Sequence, residues 1–123
     1  MAKILAIDDD PYFLFSLSNF LTFKKHNVTT VQNPYRAKEI IRDENFDCLL
    51  MDIQMPGVNG YELMKYTRQL RPALPVIIIS GLSYSKNFEE LSKYKNVKFI
   101  EKPFNPLILL EMIERLIASK EPD

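Results

Sequence analysis

The stretch Cys48-Leu49-Leu50-Met51-Asp52, continued by Ile53-Gln54-Met55-Pro56-Gly57-Val58-Asn59-Gly60, decides how the chain folds. Four apolar residues in a row end on one carboxylate and run into a loop with one proline and two glycines. This describes a buried strand, residues 47–52, that delivers an acid to the rim of a sheet. Taken alone, Asp52 reads as a loop acid that hydrogen-bonds its own backbone in a turn. Its meaning depends on what stands at the ends of the other strands.

Upstream, residues 3–8 predict a short buried strand closed by Asp8-Asp9-Asp10-Pro11. Asp10 is a helix N-cap with Pro11 at the first helical position, and Phe13, Leu14, Leu17, Phe20 and Leu21 recur at helical spacing to about Lys24. Residues 27–32 give a weaker strand signal around Val28 and Val31. Asn33-Pro34 then repeats the cap-then-proline start, before Ala37, Ile40 and Ile41 on one helix face. Downstream, Tyr61, Leu63, Met64, Thr67 and Leu70 describe a helix stopped by Pro72. Val76-Ile77-Ile78-Ile79 is a β-branched run of the kind buried on both faces of a parallel sheet, and it ends on Ser80-Gly81. Residues 85–94 predict a weakly amphipathic helix with Phe88 and Leu91 inward, and residues 96–101 the last strand, followed by Lys102-Pro103-Phe104. Asn105-Pro106 opens the most regular helix, built on Ile108, Leu109, Met112, Ile113, Leu116 and Ile117.

Strand and helix alternate five times with short connections. The pattern predicts an α/β domain with a parallel sheet covered by helices on both sides, because parallel neighbours need right-handed crossovers. The 123 residues suffice for one domain with a sizeable core. Sixteen basic and sixteen acidic residues cancel, so bulk charge gives no reason to expect nucleic acid or an anionic membrane as a partner. The single cysteine, Cys48, sits in an apolar run and reads as a small buried hydrophobe. The apolar run 4–7 is too short for a signal peptide or a membrane span, and a cytoplasmic protein is expected. His26, within Lys24-Lys25-His26-Asn27, reads as a surface residue.

In an open doubly wound sheet, ligands bind outside the carboxyl ends of the strands. Those ends carry Asp8 and Asp9, Asp52, Ser80 and Lys102. Each has an ordinary reading as a turn former, a cap or a solvated charge; the combination is more specific. Clustered carboxylates raise each other's pKa unless a cation sits among them, and an all-oxygen donor set suits Mg²⁺. A nucleophilic carboxylate, a divalent cation, a lysine and a hydroxyl are the parts needed to accept a phosphoryl group.

The motifs Ile4-Leu5-Ala6-Ile7-Asp8-Asp9-Asp10-Pro11, Met51 through Leu63, Ile78-Ile79-Ser80-Gly81 and Glu101-Lys102-Pro103-Phe104 resemble those of the response-regulator receiver domains of two-component signalling, the chemotaxis regulators included. The resemblance spans essentially the whole chain. It implies a flavodoxin-like (βα)5 fold with strand order 2-1-3-4-5, a receiver domain over residues 1–119, and a polar tail or linker start at 120–123. It implies that Asp52 accepts the phosphoryl group from a histidine kinase or phosphotransfer protein. Asp9, Asp52 and the backbone carbonyl of Gln54 would hold Mg²⁺, with Asp8 acting mainly through a metal-bound water. Lys102 would pair with Asp52 and then with the phosphoryl oxygens, aimed by a cis Lys102-Pro103 bond. Ser80 would bond a phosphoryl oxygen, and Phe99 would be the aromatic switch residue coupled to it. Gln54 and Leu82 would flank the path of attacking water and tune the lifetime of the phosphorylated state. The readout surface would be the last helix, the last strand and the helix before it, facing an output partner that the resemblance does not name. Such a domain is a switch that assists its own phosphorylation and hydrolysis, not an enzyme acting on other substrates.

Two other families share part of this pattern. A haloacid-dehalogenase-type phosphatase would use Asp8 as nucleophile, since Asp8-Asp9-Asp10 contains an Asp-x-Asp. Against it stand Tyr12, where Thr or Val is expected, the absence of an acidic pair after Lys102, and the lack of room for a cap. Flavodoxin-like FMN binding fails electrostatically, because the first loop presents acids to the flavin phosphate.

Overall fold

A computed structural model of the chain describes residues 1–54, 60–81 and 88–119, without the side chain of Phe88. Five strands, β1 (Lys3–Ile7), β2 (Asn27–Val31), β3 (Cys48–Asp52), β4 (Val76–Ser80) and β5 (Val97–Glu101), alternate with five helices, α1 (Pro11–Phe23), α2 (Pro34–Asp43), α3 (Gly60–Leu70), α4 (Phe88–Ser92) and α5 (Pro106–Ala118). The strands form one sheet in the order β2-β1-β3-β4-β5, and every pair is parallel. This is the flavodoxin-like order expected.

The period of two along each strand divides the core into two layers. Leu5 and Ile7, Leu49 and Met51, and Val76 and Ile78 face α2, α3 and α4, where they meet Ile40, Ile41, Leu63, Met64 and Leu91. Ile4 and Ala6, Cys48 and Leu50, and Ile77 and Ile79 face α1 and α5, where they meet Leu14, Leu17, Leu21, Leu109, Ile113 and Leu116. Strands β3 and β4 are buried at every residue, which is why they read as unbroken apolar runs. Cys48 is among these buried residues, and burial pushes its thiol pKa up to about 12.

Three helices start as the sequence predicts. Asp10 Oδ1 accepts the N–H of Tyr12 at 2.9 Å, Asn33 Oδ1 that of Tyr35 at 2.8 Å, and Asn105 Oδ1 that of Leu107 at 2.9 Å, each with proline as the first helical residue. Gly60 opens α3 in contact with the strand end. A Cβ there would lie 2.6 Å from Ile53 Cα, so only glycine lets α3 begin this close to Asp52.

Several boundaries differ from expectation. Strand β5 starts at Val97 because Asn96 has φ 56, the left-handed region, which no strand residue adopts. Helix α4 ends at Ser92, where the N–H groups of Lys93 and Tyr94 turn back to Glu90 O and Leu91 O three residues before them. Its expected start at 85–87 and the inward side chain of Phe88 lie outside the described residues, as do Leu82, the loop 55–59 and the tail 120–123.

His26 requires a correction: it is buried, with 9% of its surface exposed. The end of α1 explains this. Lys25 turns into the left-handed region at φ 71, its N–H bonds to Thr22 O, and the His26 N–H reaches back to Leu21 O. That six-to-one closure folds the next residue against the helix's last turn. His26 Nδ1 accepts the Ala2 N–H at 3.1 Å, and Nε2 lies 3.4 Å from Glu114 Oε2. Among the described residues, no helix is long and apolar enough to cross a membrane.

Candidate functional site

The parallel arrangement brings the carboxyl ends of β1, β3, β4 and β5 to one rim, with β3 at the centre between β1 and β4. Asp8 leaves β1 with its N–H bonded to Val31 O. It is almost wholly buried, and both carboxylate oxygens are engaged: Oδ1 accepts the Asp10 N–H at 2.9 Å and Oδ2 accepts Lys102 Nζ at 2.9 Å. Asp52, 7% exposed, closes a turn of its own. Its Oδ1 accepts the Gln54 N–H at 2.8 Å, and its Oδ2 accepts Lys102 Nζ at 3.3 Å. Asp9 is exposed, yet one oxygen from each of Asp8, Asp9 and Asp52 lies within 4.8 Å of the others.

Lys102 is carried to this cluster by the end of β5, its N–H bonded to Ser80 O at 2.8 Å and the Lys102-Pro103 bond cis. Its ammonium also lies 4.1 Å from the ring centroid of Phe13, which packs edge-on against Phe104. Phe13 thus adds a cation–π contact to the lysine's bonds with the acids. Its helical spacing marks Phe13 only as a core position of α1. Its stacking depends on the distance between α1 and the β5 end, which no spacing in the chain encodes.

Ser80 ends β4, and its Oγ donates to Gln54 Oε1 at 3.1 Å. The same oxygen accepts the Gly81 N–H at 3.2 Å. The sequence marks Gln54 only for its backbone carbonyl and the path of water; the contact of its side chain with Ser80 depends on a rotamer that the sequence does not encode. Phe99 pairs with Ile78 across β4 and β5 and packs, half-buried, against the layer covered by α2, α3 and α4.

Burial raises the Asp52 pKa above its ordinary value, against the opposing pull of the Gln54 N–H and Lys102, and the neighbouring Asp8 charge adds to the rise. Burial alone would lower the Lys102 pKa, but its bonds to Asp8 and Asp52 outweigh that and raise it. Among the described residues one ammonium faces three carboxylates, so this cluster has an excess of negative charge and of oxygen donors. Two ligands of one Mg²⁺ at about 2.1 Å are at most about 4.2 Å apart, so small rotamer adjustments suffice for Asp8, Asp9 and Asp52 to share one ion. The donor set fits a hard divalent cation.

Asp8 and Asp52 are both buried with both carboxylate oxygens bonded, so burial does not separate them as nucleophiles; the match of residues 4–114 to the receiver-domain family gives the phosphatase reading no support.

Comparison with known proteins agrees with this geometry. Residues 4–114 match the model of the response regulator receiver domain. Protein PilH of Pseudomonas aeruginosa is 32% identical over 124 residues, covering 97% of this chain and 100% of PilH. Other curated relatives are longer, and the chain spans only 58% of one and 19% of another. The crystal structure of a CheY-like receiver domain protein from Methanospirillum hungatei superposes with a TM-score of 0.89 at 30% identity, covering 97% of this chain and 95% of that one. The response regulator TrrA of Thermotoga maritima, solved in complex with Mg²⁺-BeF, gives a TM-score of 0.81 at 27% identity, covering 94% of this chain and 99% of TrrA. With fold order, strand-end acids and family match in agreement over nearly its whole length, the chain belongs to the response regulator receiver domains, phosphorylatable switches of two-component signalling.

Proposed function

We propose that Asp52 accepts a phosphoryl group from a phosphohistidine on a histidine kinase or phosphotransfer protein, in a Mg²⁺-dependent reaction, and that the modified domain presents an altered α4-β5-α5 face to an output partner. The observation that carries this reading is the convergence of Lys102, Asp8 and Asp52 in one hydrogen-bonded cluster at the sheet rim. A Mg²⁺-BeF complex of the similar TrrA supports it from outside the chain.

In the proposed step, an Asp52 carboxylate oxygen attacks phosphorus as the phosphorus–nitrogen bond of the donor breaks, and the imidazole leaves with the electron pair. Asp9, Asp52 and the Gln54 carbonyl would hold Mg²⁺, and Asp8 would orient its water. Bound there, the ion offsets the charge that gathers on the phosphoryl oxygens. Lys102 exchanges part of its contact with Asp52 for a phosphoryl oxygen while Asp8 and the Phe13 ring keep it in place. Ser80 donates its hydroxyl to another phosphoryl oxygen, which draws the end of β4 toward Asp52, and Phe99 repacks in the space that this changes. A few such charge-assisted bonds suffice to shift a two-state equilibrium whose packings differ by about 1–3 kcal/mol.

An apolar groove of about 510 Å³, lined by Phe13, Leu17, Phe20, Pro103, Phe104 and Pro106, opens beside Lys102 and offers the donor protein a surface adjoining the acceptor. On this reading the receiver unit takes in residues 1–119, residues 120–123 are a tail or linker start, and the domain works in the cytoplasm. Intact-mass analysis after incubation with acetyl phosphate and Mg²⁺ tests the central claim. One phosphoryl group is expected on the wild type and none on Asp52→Asn. Labelling of Asp52→Asn, or none of the wild type, would remove Asp52 from the role.

A further inference from the structure

We propose that the side chain of Gln54 is a latch on Ser80: it holds the one hydroxyl proton that a phosphoryl group on Asp52 needs, and must release it before the switch can close. The inference rests on Asp52 being the acceptor, as proposed above, and identifies what opposes the switched arrangement.

The direction of the bonds follows from the donor inventory. A backbone N–H can only donate, so the Gln54 atom facing the Gly81 N–H at 3.2 Å is the carbonyl Oε1 and not the amide nitrogen. That fixes the orientation of the side-chain amide. Oε1 has no proton to give, so in its 3.1 Å contact with Ser80 Oγ the serine is the donor. A serine hydroxyl carries one proton. As long as it goes to Gln54, Ser80 cannot donate to a phosphoryl oxygen.

The latch is well anchored. The Gln54 N–H is bonded to Asp52 Oδ1 at 2.8 Å, so the residue is tied at its backbone to the acceptor and at its side chain to the end of β4. It grips two consecutive positions, Ser80 and Gly81, on the segment that moves in the proposed switch. Gln54 itself is exposed, so its contribution to the core is small, and replacing it is expected to leave the fold intact. An ordinary net hydrogen-bond contribution shifts an equilibrium by about 2- to 12-fold, a range wide enough to set how readily the domain switches.

The test uses the full chain with Mg²⁺ and beryllofluoride as the phosphoryl analogue. Binding is followed through the glycine amide signals, which are few because the chain has three glycines. An equilibrium affinity is insensitive to the access of hydrolytic water, so it separates the latch from any effect on phosphoryl lifetime. Gln54→Leu, similar in bulk and without an acceptor, is expected to tighten beryllofluoride binding by about three- to tenfold. Most of that gain is expected to disappear in a Ser80→Ala background. Without metal or analogue, the Gly81 amide is expected to exchange with solvent faster in Gln54→Leu, and the Gly60 amide at an unchanged rate. Unchanged or weaker binding by Gln54→Leu, when the wild type binds, overturns the latch alone, as does a gain that survives in full in Ser80→Ala. Failure of the wild type to bind overturns the acceptor reading, and the latch with it.

Discussion

Asp52 carries a conflict that its neighbours only partly resolve. Burial raises its pKa although Lys102 and the Gln54 N–H favour the charged form. The linkage sign follows. A carboxyl whose folded pKa lies above its unfolded value binds protons more tightly when folded, so its ionisation lowers stability as pH rises through the folded pKa, and the penalty is absent below the unfolded value of about 3.8. In metal-free buffer at pH 7, Asp52→Asn is therefore expected to melt a few degrees above the wild type by circular dichroism. The difference should shrink as pH falls toward 4, and a difference independent of pH would assign it to packing instead. That Asp52, Asp8, Asp9, Ser80 and Lys102 meet was legible in the sequence because parallel strands with short crossovers must put their carboxyl ends on one rim. The grip of Gln54 on Ser80 and the stacking of Phe13 on Lys102 were not, since each depends on a rotamer and on a distance between elements far apart in the chain.

Among the elements, the ones that position the site are those whose signals were local. Asp10, Asn33 and Asn105 each pair a cap with a following proline, and each caps its helix as that pairing requires. Strand β2 gave a weak signal because it is an edge strand with only Val31 fully buried, and its five-residue register with β1 supplies what its side chains do not. The burial of His26 is illegible in the sequence for a related reason: the turn that buries it uses Lys25 in the left-handed region, where glycine is the usual and recognisable marker. Helix α3 depends on a single residue at its start. Gly60→Ala places a methyl group 2.6 Å from Ile53 Cα, against backbone and not against a flexible side-chain tip. The helix must shift, at a cost of about 1–3 kcal/mol in urea denaturation. Because the shift bears on the segment next to Asp52, labelling by acetyl phosphate should slow in the same variant. A stability within about 0.5 kcal/mol of the wild type would mean that α3 can slide freely along β3.

For the molecule as a whole, the acids at the rim are tolerated because two continuous apolar layers hold the sheet beneath them. The chain is neutral overall, with sixteen charges of each sign, but among the described residues at the rim three carboxylates face one ammonium. Stability and function are opposed there, and Mg²⁺ is the reagent that should reconcile them. An ion that binds the folded rim and not the unfolded chain stabilises by about 2.7 kcal/mol when free Mg²⁺ reaches one hundred times its Kd, which for a domain of this size raises Tm by roughly 10 °C. Asp52→Asn lacks a ligand and should gain far less, and so should Asp9→Asn. The order of stability is then expected to invert: Asp52→Asn melts above the wild type in chelator, and the wild type above Asp52→Asn at saturating Mg²⁺. Lowering the pH into the carboxylate range should erase the inversion, because protons compete with the ion for the same oxygens. Equal gains in Tm for the wild type and both variants would show that Mg²⁺ acts elsewhere on the surface, and the excess of acids at the rim would then need another explanation.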